Sequence, residues 1–526
     1  MRFNPVRMLF ALCALLAMSA FPVAASAATQ GEIDAAIDEG AQWLRSQQGP
    51  GGPDPYTGQI PGFGGDWSVT ALAAAGVDPA GVRNLALGPP SLQDHLLGVY
   101  GSGPWLDPPS FAKPVTDYET AVLSAYAAGL DPARISAGSN LPAQIAGVWN
   151  AATGSFGTPS SNGTAFGILA LARTPVPRWA LAPAVDYLRQ NRHDDGGWNF
   201  GSATTPGAKA TPSDPEMTGA AIAALCESGV PTYDADVAGG VEFLRGKLEA
   251  NGAIEAPFGT NVDTNAWVIS GLNACGIDPQ SAAWTTGAGK TPVDYVLSLQ
   301  VTTPGPDAGG FGYNTPEFPG VYSTQDALRA LADEAFTASP LSGRGVQPVA
   351  AGTPVSHVLA IEFAPGNVRM CKVTAPSAAP LTEVLAAAKA ASYPPGCVRE
   401  LAVSGGEVDA IDGIEPENAD ESWLARLDRG PVAAAGQQPV GFGDVISLHR
   451  GLTPVGTQVV TGPAGAAGPT GQAGRAGKRG ARGRPGKAKR KCRVSRGRDR
   501  HRSHRGKSRG KPRAAAGRRG CNGRRR

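Results

Sequence analysis

Gly76-Val77-Asp78-Pro79, Gly129-Leu130-Asp131-Pro132 and Gly276-Ile277-Asp278-Pro279 recur within the first 340 residues, and their reading decides the fold. Each closes an Ala- and Leu-rich stretch. Glycine supplies the left-handed cap of a helix and proline cannot continue one. The capping glycines stand 53 residues apart from Gly76 to Gly129 and 47 apart from Gly229 to Gly276, a period that marks an array of helical pairs. Working outward from each cap, the unit is a helix with aromatic and Leu positions, a Gly-rich turn carrying an aromatic, and the Ala-rich helix. Six units fit, with second helices predicted over 66–75, 118–128, 164–172, 218–226, 264–275 and 323–331. These second helices are small and apolar, as a crowded inner ring requires, while the first helices mix aromatics with charge, as an outer ring touching water would. The expectation is a mostly α fold with twelve helices in a closed ring.

Beyond the repeats the pattern changes. Residues 355–363 alternate and are rich in Val and Ile, as a strand should be; 371–373 reads as a second strand and 381–392 as an Ala-rich helix. Short strands at 408–414, 423–427 and 445–449 follow, separated by Gly and Pro turns. Gly then recurs at every third position from Gly462 to Gly486, a collagen-like pattern supported only by Pro463, Pro469 and Pro485. The expected organisation is a signal segment 1–27, helical ring 28–340, linker 341–353, small β-rich domain 354–451, Gly-X-Y spacer 452–489 and a basic tail 490–526 that lacks a core.

Two motifs carry a family resemblance. Gln190 with Gly196-Gly197-Trp198-Asn199-Phe200, and Gln300 with Gly309-Gly310-Phe311-Gly312, resemble the repeats of squalene and terpene cyclases, prenyltransferase β subunits, complement thioester domains and cobalamin carriers. All share the α6/α6 toroid, and the resemblance covers 30–336. Ile411-Asp412-Gly413-Ile414, the Trp423 strand and Gly443-Asp444-Val445-Ile446 resemble the small β domain that follows the toroid in transcobalamin-like carriers, with Asp412 in place of the usual Asn. That resemblance implies a ligand, a corrinoid or another small molecule, held between toroid and β domain. Asp412, Trp423 and Arg426 would face it from the second side. One scaffold hosts many activities, so the resemblance speaks to fold more than to chemistry.

Composition places the chain outside the cytoplasm. Arg2 and Arg7, an apolar stretch 8–20 and Ala25-Ser26-Ala27 read as a secretory signal. The net charge of +3 conceals an asymmetry: 24 Lys or Arg against one acid from Arg475 to Arg526, but 21 basic against 43 acidic residues from Ala28 to Gly474, a net of −22. The tail should attract an anionic cell-surface polymer or membrane surface through counterion release. No aromatics interleave with its arginines, so sequence-specific nucleic acid is not expected. A trimer follows only if the Gly-X-Y segment forms a triple helix. Cys226, Cys275, Cys371, Cys397, Cys492 and Cys521 are an even set suited to disulfides, sequential pairing being the simplest of fifteen connectivities.

Polar residues cluster where the second helices begin: Asp66, Trp67, Asp117, Tyr118, Glu119, Asn162, Asp214, Glu216, Asp263, Asn265, Gln325 and Asp326. At equivalent ends of six inner helices they would line one mouth of the ring and serve as ligand contacts. Asp and Asn there also suit helix capping, so Glu119, Tyr118 and Gln325 stand out. No catalytic or metal set is read. The Asp-x-Asp-Asp run of squalene cyclases is absent. No His joins Cys226 or Cys275 for a prenyltransferase zinc set, Cys275-Gly276 is followed by Ile277-Asp278 rather than a thioester motif, and the inner helices are mostly Ala rather than aromatic. The leading expectation is a secreted or surface-held, non-catalytic ligand-binding protein that requires no cofactor. An adhesion or scaffold protein working through its collagen-like basic tail comes second, and a terpenoid-cyclase-like enzyme third.

Overall fold

The computed structural model describes residues 27–47, 65–84, 88–110, 114–257, 259–343, 349–390, 397–436 and 438–452. The signal segment, the Gly-X-Y stretch, the basic tail, Cys492 and Cys521 lie outside the described residues. Twelve helices dominate the first part. The outer ones are α1 (Gln30–Ser46), α3 (Leu92–Tyr100), α5 (Leu141–Ala146), α7 (Arg178–Gln190), α9 (Ala235–Arg245) and α11 (Pro292–Ser298). The inner ones are α2 (Gly65–Ala74), α4 (Val115–Ala127), α6 (Ser161–Ala172), α8 (Pro215–Ser228), α10 (Val262–Ala274) and α12 (Val321–Leu331). Each inner helix packs on the next, and α12 packs on α2, so the circuit closes.

The side chains explain the arrangement. In α8 every residue from Met217 to Leu225 is buried, whereas α1 buries only Ile33, Ala36, Gly40, Ala41, Trp43 and Leu44, a single stripe. Inner helices approach closely because glycines face each other. A Cβ on Gly219 would stand 2.6 Å from the Trp267 carbonyl oxygen, and one on Gly271 would strike the Gly219 backbone. Starts meet starts: the Thr264 hydroxyl donates to Glu216 Oε1 at 2.6 Å, and Ser68 Oγ to Gln325 Oε1 at 2.9 Å. Ends meet ends, where a disulfide joins Cys226 to Cys275. The glycines that end α2, α4, α8 and α10 all adopt positive φ. The turn aromatics Trp105, Phe156, Trp198 and Phe311 are all buried. Trp198 is fully buried, receives nothing from solvent, and donates through Nε1 to the Leu188 carbonyl at 2.7 Å.

After α12 the chain folds back across the far ends of the inner helices. Thr337 Oγ1 donates to the Leu123 carbonyl at 3.0 Å, Ala338 packs against Ala73 and Ala127, and Ser342 Oγ donates to Asp78 at 2.8 Å.

The second part is a five-stranded sheet in the order β2-β1-β7-β5-β6. Its strands are β1 (Pro354–Ala364), β2 (Asn367–Pro376), β5 (Glu421–Leu427), β6 (Val432–Ala434) and β7 (Val445–Leu452); β3 (Leu401–Ser404) and β4 (Glu407–Ile411) pair separately. Only β1 and β7 run parallel. One face, with Leu359, Ile361 and Phe363, packs on helix α13 (Leu381–Ala390), and a disulfide joins Cys371 to Cys397. The other face, with Val358, Ala360, Val368 and Met370, joins the helical core. β1 is therefore buried on both faces from Val355 to Ile361, where alternation had suggested one.

The sheet packs on α5 and α7, the outer wall, and its strand β2 also stands across a cleft from the starts of α4 and α6 at the rim. That packing explains why all six residues of α5 are buried although it is an outer helix. The joint centres on Arg134. Its guanidinium meets Asp131 at 2.6 Å, Asp428 at 2.5 Å and Asp444 at 2.8 Å, and donates to the Phe442 carbonyl at 2.7 Å. Among the described residues no helix is long and apolar enough to cross a membrane. Replacing Arg134 by Met would leave Asp428 and Asp444 facing each other without their cation. The expected loss is about 2–3 kcal/mol, read from the urea midpoint at pH 7.

Candidate functional site

The polar helix starts do not act as one set. Asp214 is a helix cap, accepting the Met217 N–H at 3.0 Å. Asn265 is fully buried: its Oδ1 accepts the Ile254 N–H at 2.8 Å and its Nδ2 donates to the Asn261 carbonyl. Gln325 closes the ring through Ser68. Tyr118 turns outward, edge-on to Trp105 at 5.2 Å, with its hydroxyl donating to the Asp107 carbonyl. Glu119 is fully buried with neither carboxyl oxygen hydrogen-bonded, and burial raises its pKa well above the usual range, so it sits in the wall as a neutral acid. Asp117 and Asn162 are half-buried on the first turns of α4 and α6; the Asp66 side chain lies outside the described set. The reading that made Tyr118, Glu119 and Gln325 ligand contacts is thus corrected. All three are consumed by packing or ring closure.

What the ring does bring together is a group of acids above a group of aromatics. Glu216 and Asp263 come from the first turns of α8 and α10, and Asp326 from the second turn of the next inner helix, α12. Below them Trp67, Phe166, Trp267 and Phe336 meet edge to face, with centroids 5.2–5.8 Å apart. Such pairs each add about 0.5–1.5 kcal/mol beyond burial. Arg329 ion-pairs with Asp326 inside the ring, both almost completely buried, and its guanidinium lies 4.6 Å from the Trp67 ring centroid. Trp267 Nε1 donates to Asp326 Oδ2 at 3.0 Å.

The aromatic interior overturns the expectation of an Ala-lined lumen. The signal was present at helical spacing, since Asn162 and Phe166, and Asp263 and Trp267, stand four residues apart on one face.

Burial raises the pKa of all three acids. Asp326 is held by Arg329 and the Trp267 N–H, whereas Asp263 Oδ1 has no hydrogen-bond partner. Asp263 is pushed up to about 8 by burial and then by Asp326. Among the described residues no three His, Cys, Asp or Glu side chains stand close enough to hold a metal ion.

A separate opening lies between the helical ring and the β domain. It is a cleft of about 940 Å³. Its helical wall is Val115 and Thr116 at the start of α4, Ser160 and Gly163 at the start of α6, and the turn carrying Trp149 and Thr158. Its other wall is Arg369 and Met370 of β2, with Cys397 and Arg399. A second cavity of about 360 Å³ shares Arg369 and Arg399 and adds Asp412 and Glu400. Of the β-domain residues expected to face a ligand, Asp412 lines the smaller cavity. Trp423 is fully buried in the sheet core, its Nε1 donating to the Ile414 carbonyl at 3.2 Å. Alternation along β5 puts it with Ala425, and Arg426 falls on an exposed position outside both cavities. Sequence reasoning missed Trp149, Arg369 and Arg399, which come together only through tertiary packing.

No family model and no curated protein matches the chain. Similar solved structures include an ent-copalyl diphosphate synthase from Streptomyces platensis (TM-score 0.34, 19% identity, 51% of this chain and 48% of that chain). This chain thus spans about half of that enzyme's length. Haptocorrin in complex with Cbi aligns over 80% of this chain and 97% of that one at TM-score 0.33 and 12% identity. The type II terpene cyclase MstE from Scytonema aligns over 58% and 98% at TM-score 0.37 and 15% identity. At this level of likeness nothing about ligand or reaction is transferred from them.

Asp263 has a measurable signature. With a folded value near 8 against an ordinary 3.8, its carboxyl stays neutral in the fold while it ionises in the unfolded chain. The folded state therefore loses stability as pH rises from about 4 to about 8. Asp263→Asn removes that loss. Thermal melts should show the variant gaining on the parent protein between pH 5 and pH 8, and a constant difference would refute the assignment.

Proposed function

We propose that the chain is an α6/α6 toroid with an attached β domain that binds a small molecule, without transforming it, in the cleft between the two. One observation carries the reading. The cleft is of small-molecule size, and its walls combine apolar Val115, Trp149 and Met370 with polar Thr158, Arg369 and Arg399. The ring and sheet that form the walls are pinned together by Arg134, so the cleft is largely preformed. Apolar contacts at Val115 and Met370 suit an amphipathic occupant, and a corrinoid is one candidate. We further propose that the protein is exported and that its basic tail holds it at an anionic surface.

A terpenoid-cyclase-like enzyme is the second reading, favoured by a neutral carboxylic acid at Asp263 above four aromatics. General-acid chemistry needs a group that keeps its proton near the working pH.

The first reading is tested with small molecules retained by the native protein, identified by mass spectrometry, and by calorimetric titration with cobalamin and with whatever is recovered. Thr158→Trp, at an exposed position on the cleft wall, should weaken binding at least about tenfold, equivalent to roughly 1.4 kcal/mol. Unchanged affinity would remove the cleft from consideration. Under the second reading, polyprenoid substrates are turned over and Asp263→Asn abolishes turnover.

A further inference from the structure

We infer that the cleft ligand carries an anionic group, a carboxylate, phosphate or sulfonate, docked among Arg399, Arg369 and the start of helix α4; this rests on the cleft being the binding site. Two independent features converge there. Among the described residues, Arg369 and Arg399 are the only charged ones lining the cleft, and both are cations. Arg369 is fixed in place: it pairs with Asp412, donates to the Cys397 carbonyl at 2.8 Å and lies 4.8 Å from the Phe363 ring centroid. The Arg399 guanidinium has no carboxylate partner among the described residues, although its backbone N–H donates to Asp412 Oδ1 at 2.6 Å. One arginine is thus anchored and the other is free to close on a ligand.

Helix α4 supplies the second feature. It is 13 residues long, begins after Pro114, and has no side-chain cap. Every other inner helix whose cap is described, except α12, has its first turn satisfied by Ser, Asp or Asn. Pro114, Val115 and Thr116 all line the cleft, so the positive end of the α4 dipole opens into it. Guanidinium and helix start are both donors, and among the described residues no carboxylate lines the same cavity to accept from them. A neutral ligand could use the apolar walls but would leave this donor set unanswered.

The test uses two fluorescent probes of similar shape, 8-anilinonaphthalene-1-sulfonate and its uncharged counterpart N-phenyl-1-naphthylamine, titrated into the full chain. The sulfonate should bind at least about tenfold more tightly, a difference of roughly 1.4 kcal/mol, and the preference should shrink as salt is raised. Arg399→Gln, at an exposed position that leaves the fold untouched, should weaken the sulfonate several-fold and spare the neutral probe. Equal binding of the two probes, or an Arg399→Gln variant that affects both alike or neither, overturns the anionic assignment and leaves the cleft standing. Binding of neither probe to the parent protein, or binding of both unchanged by Thr158→Trp, overturns the cleft and the assignment together.

Discussion

The structure depends on a seam between residues more than 250 positions apart. A row of helical pairs is an open arc unless its last member meets its first, and here α12 meets α2. Arg329 makes the meeting specific: held by Asp326 on its own helix, it lies over Trp67 and reaches Thr70 Oγ1 at 3.4 Å on the opposite one. Ser68 and Gln325 add a buried hydrogen bond at the same junction. An ion pair this deep gains little net stability over apolar packing. Its use is to fix one closure, because a guanidinium that has left water must find these partners and no others. With the circuit closed, the N-terminal halves of α8, α10 and α12 crowd their carboxyl groups together, and the ring's interior acquires its electrostatic character.

The same closure sets where the β domain can go. The inner ring is full, so the sheet has only the outer wall to pack on, and it covers α5 and α7. Val358, Ala360 and Met370 become part of the helical core, while Arg134 gathers two aspartates from the far side of the joint. The cleft is what remains where the curved wall and the twisted sheet part company near the starts of α4 and α6. Its chemistry differs from that of the lumen. The lumen is acidic and aromatic, and the cleft presents donors and cations.

The sequence made the repeat legible for a physical reason: caps and turns are local. Gly76, Gly129, Gly229 and Gly276 all take the left-handed conformation their positions implied. The strand at 355–363 and the helix from Leu381 lie close to where alternation and Ala content placed them. The direction of individual side chains was less legible. An inner helix is apolar around its whole circumference, so nothing in α4 says whether Tyr118, Glu119 or Thr120 faces the hollow. Tyr118 faces the outer ring, Glu119 is walled in, and the lumen is reached instead by Glu216, Asp263 and Asp326. Trp423 was drawn toward the ligand by resemblance, yet alternation along β5 buries it. The cleft was out of reach altogether, since Trp149, Arg369 and Arg399 are brought together by a docking surface with no local signature.

The segment after α12 has a consequence for the ring's interior. By lying across the ends of α2 and α4 and inserting Phe336 among the ring's aromatics, it bottoms out the barrel at one side. The ring's far end is therefore stoppered by the chain's own return stroke, and loosening this segment would strip Phe166 and Trp267 of the ring they share.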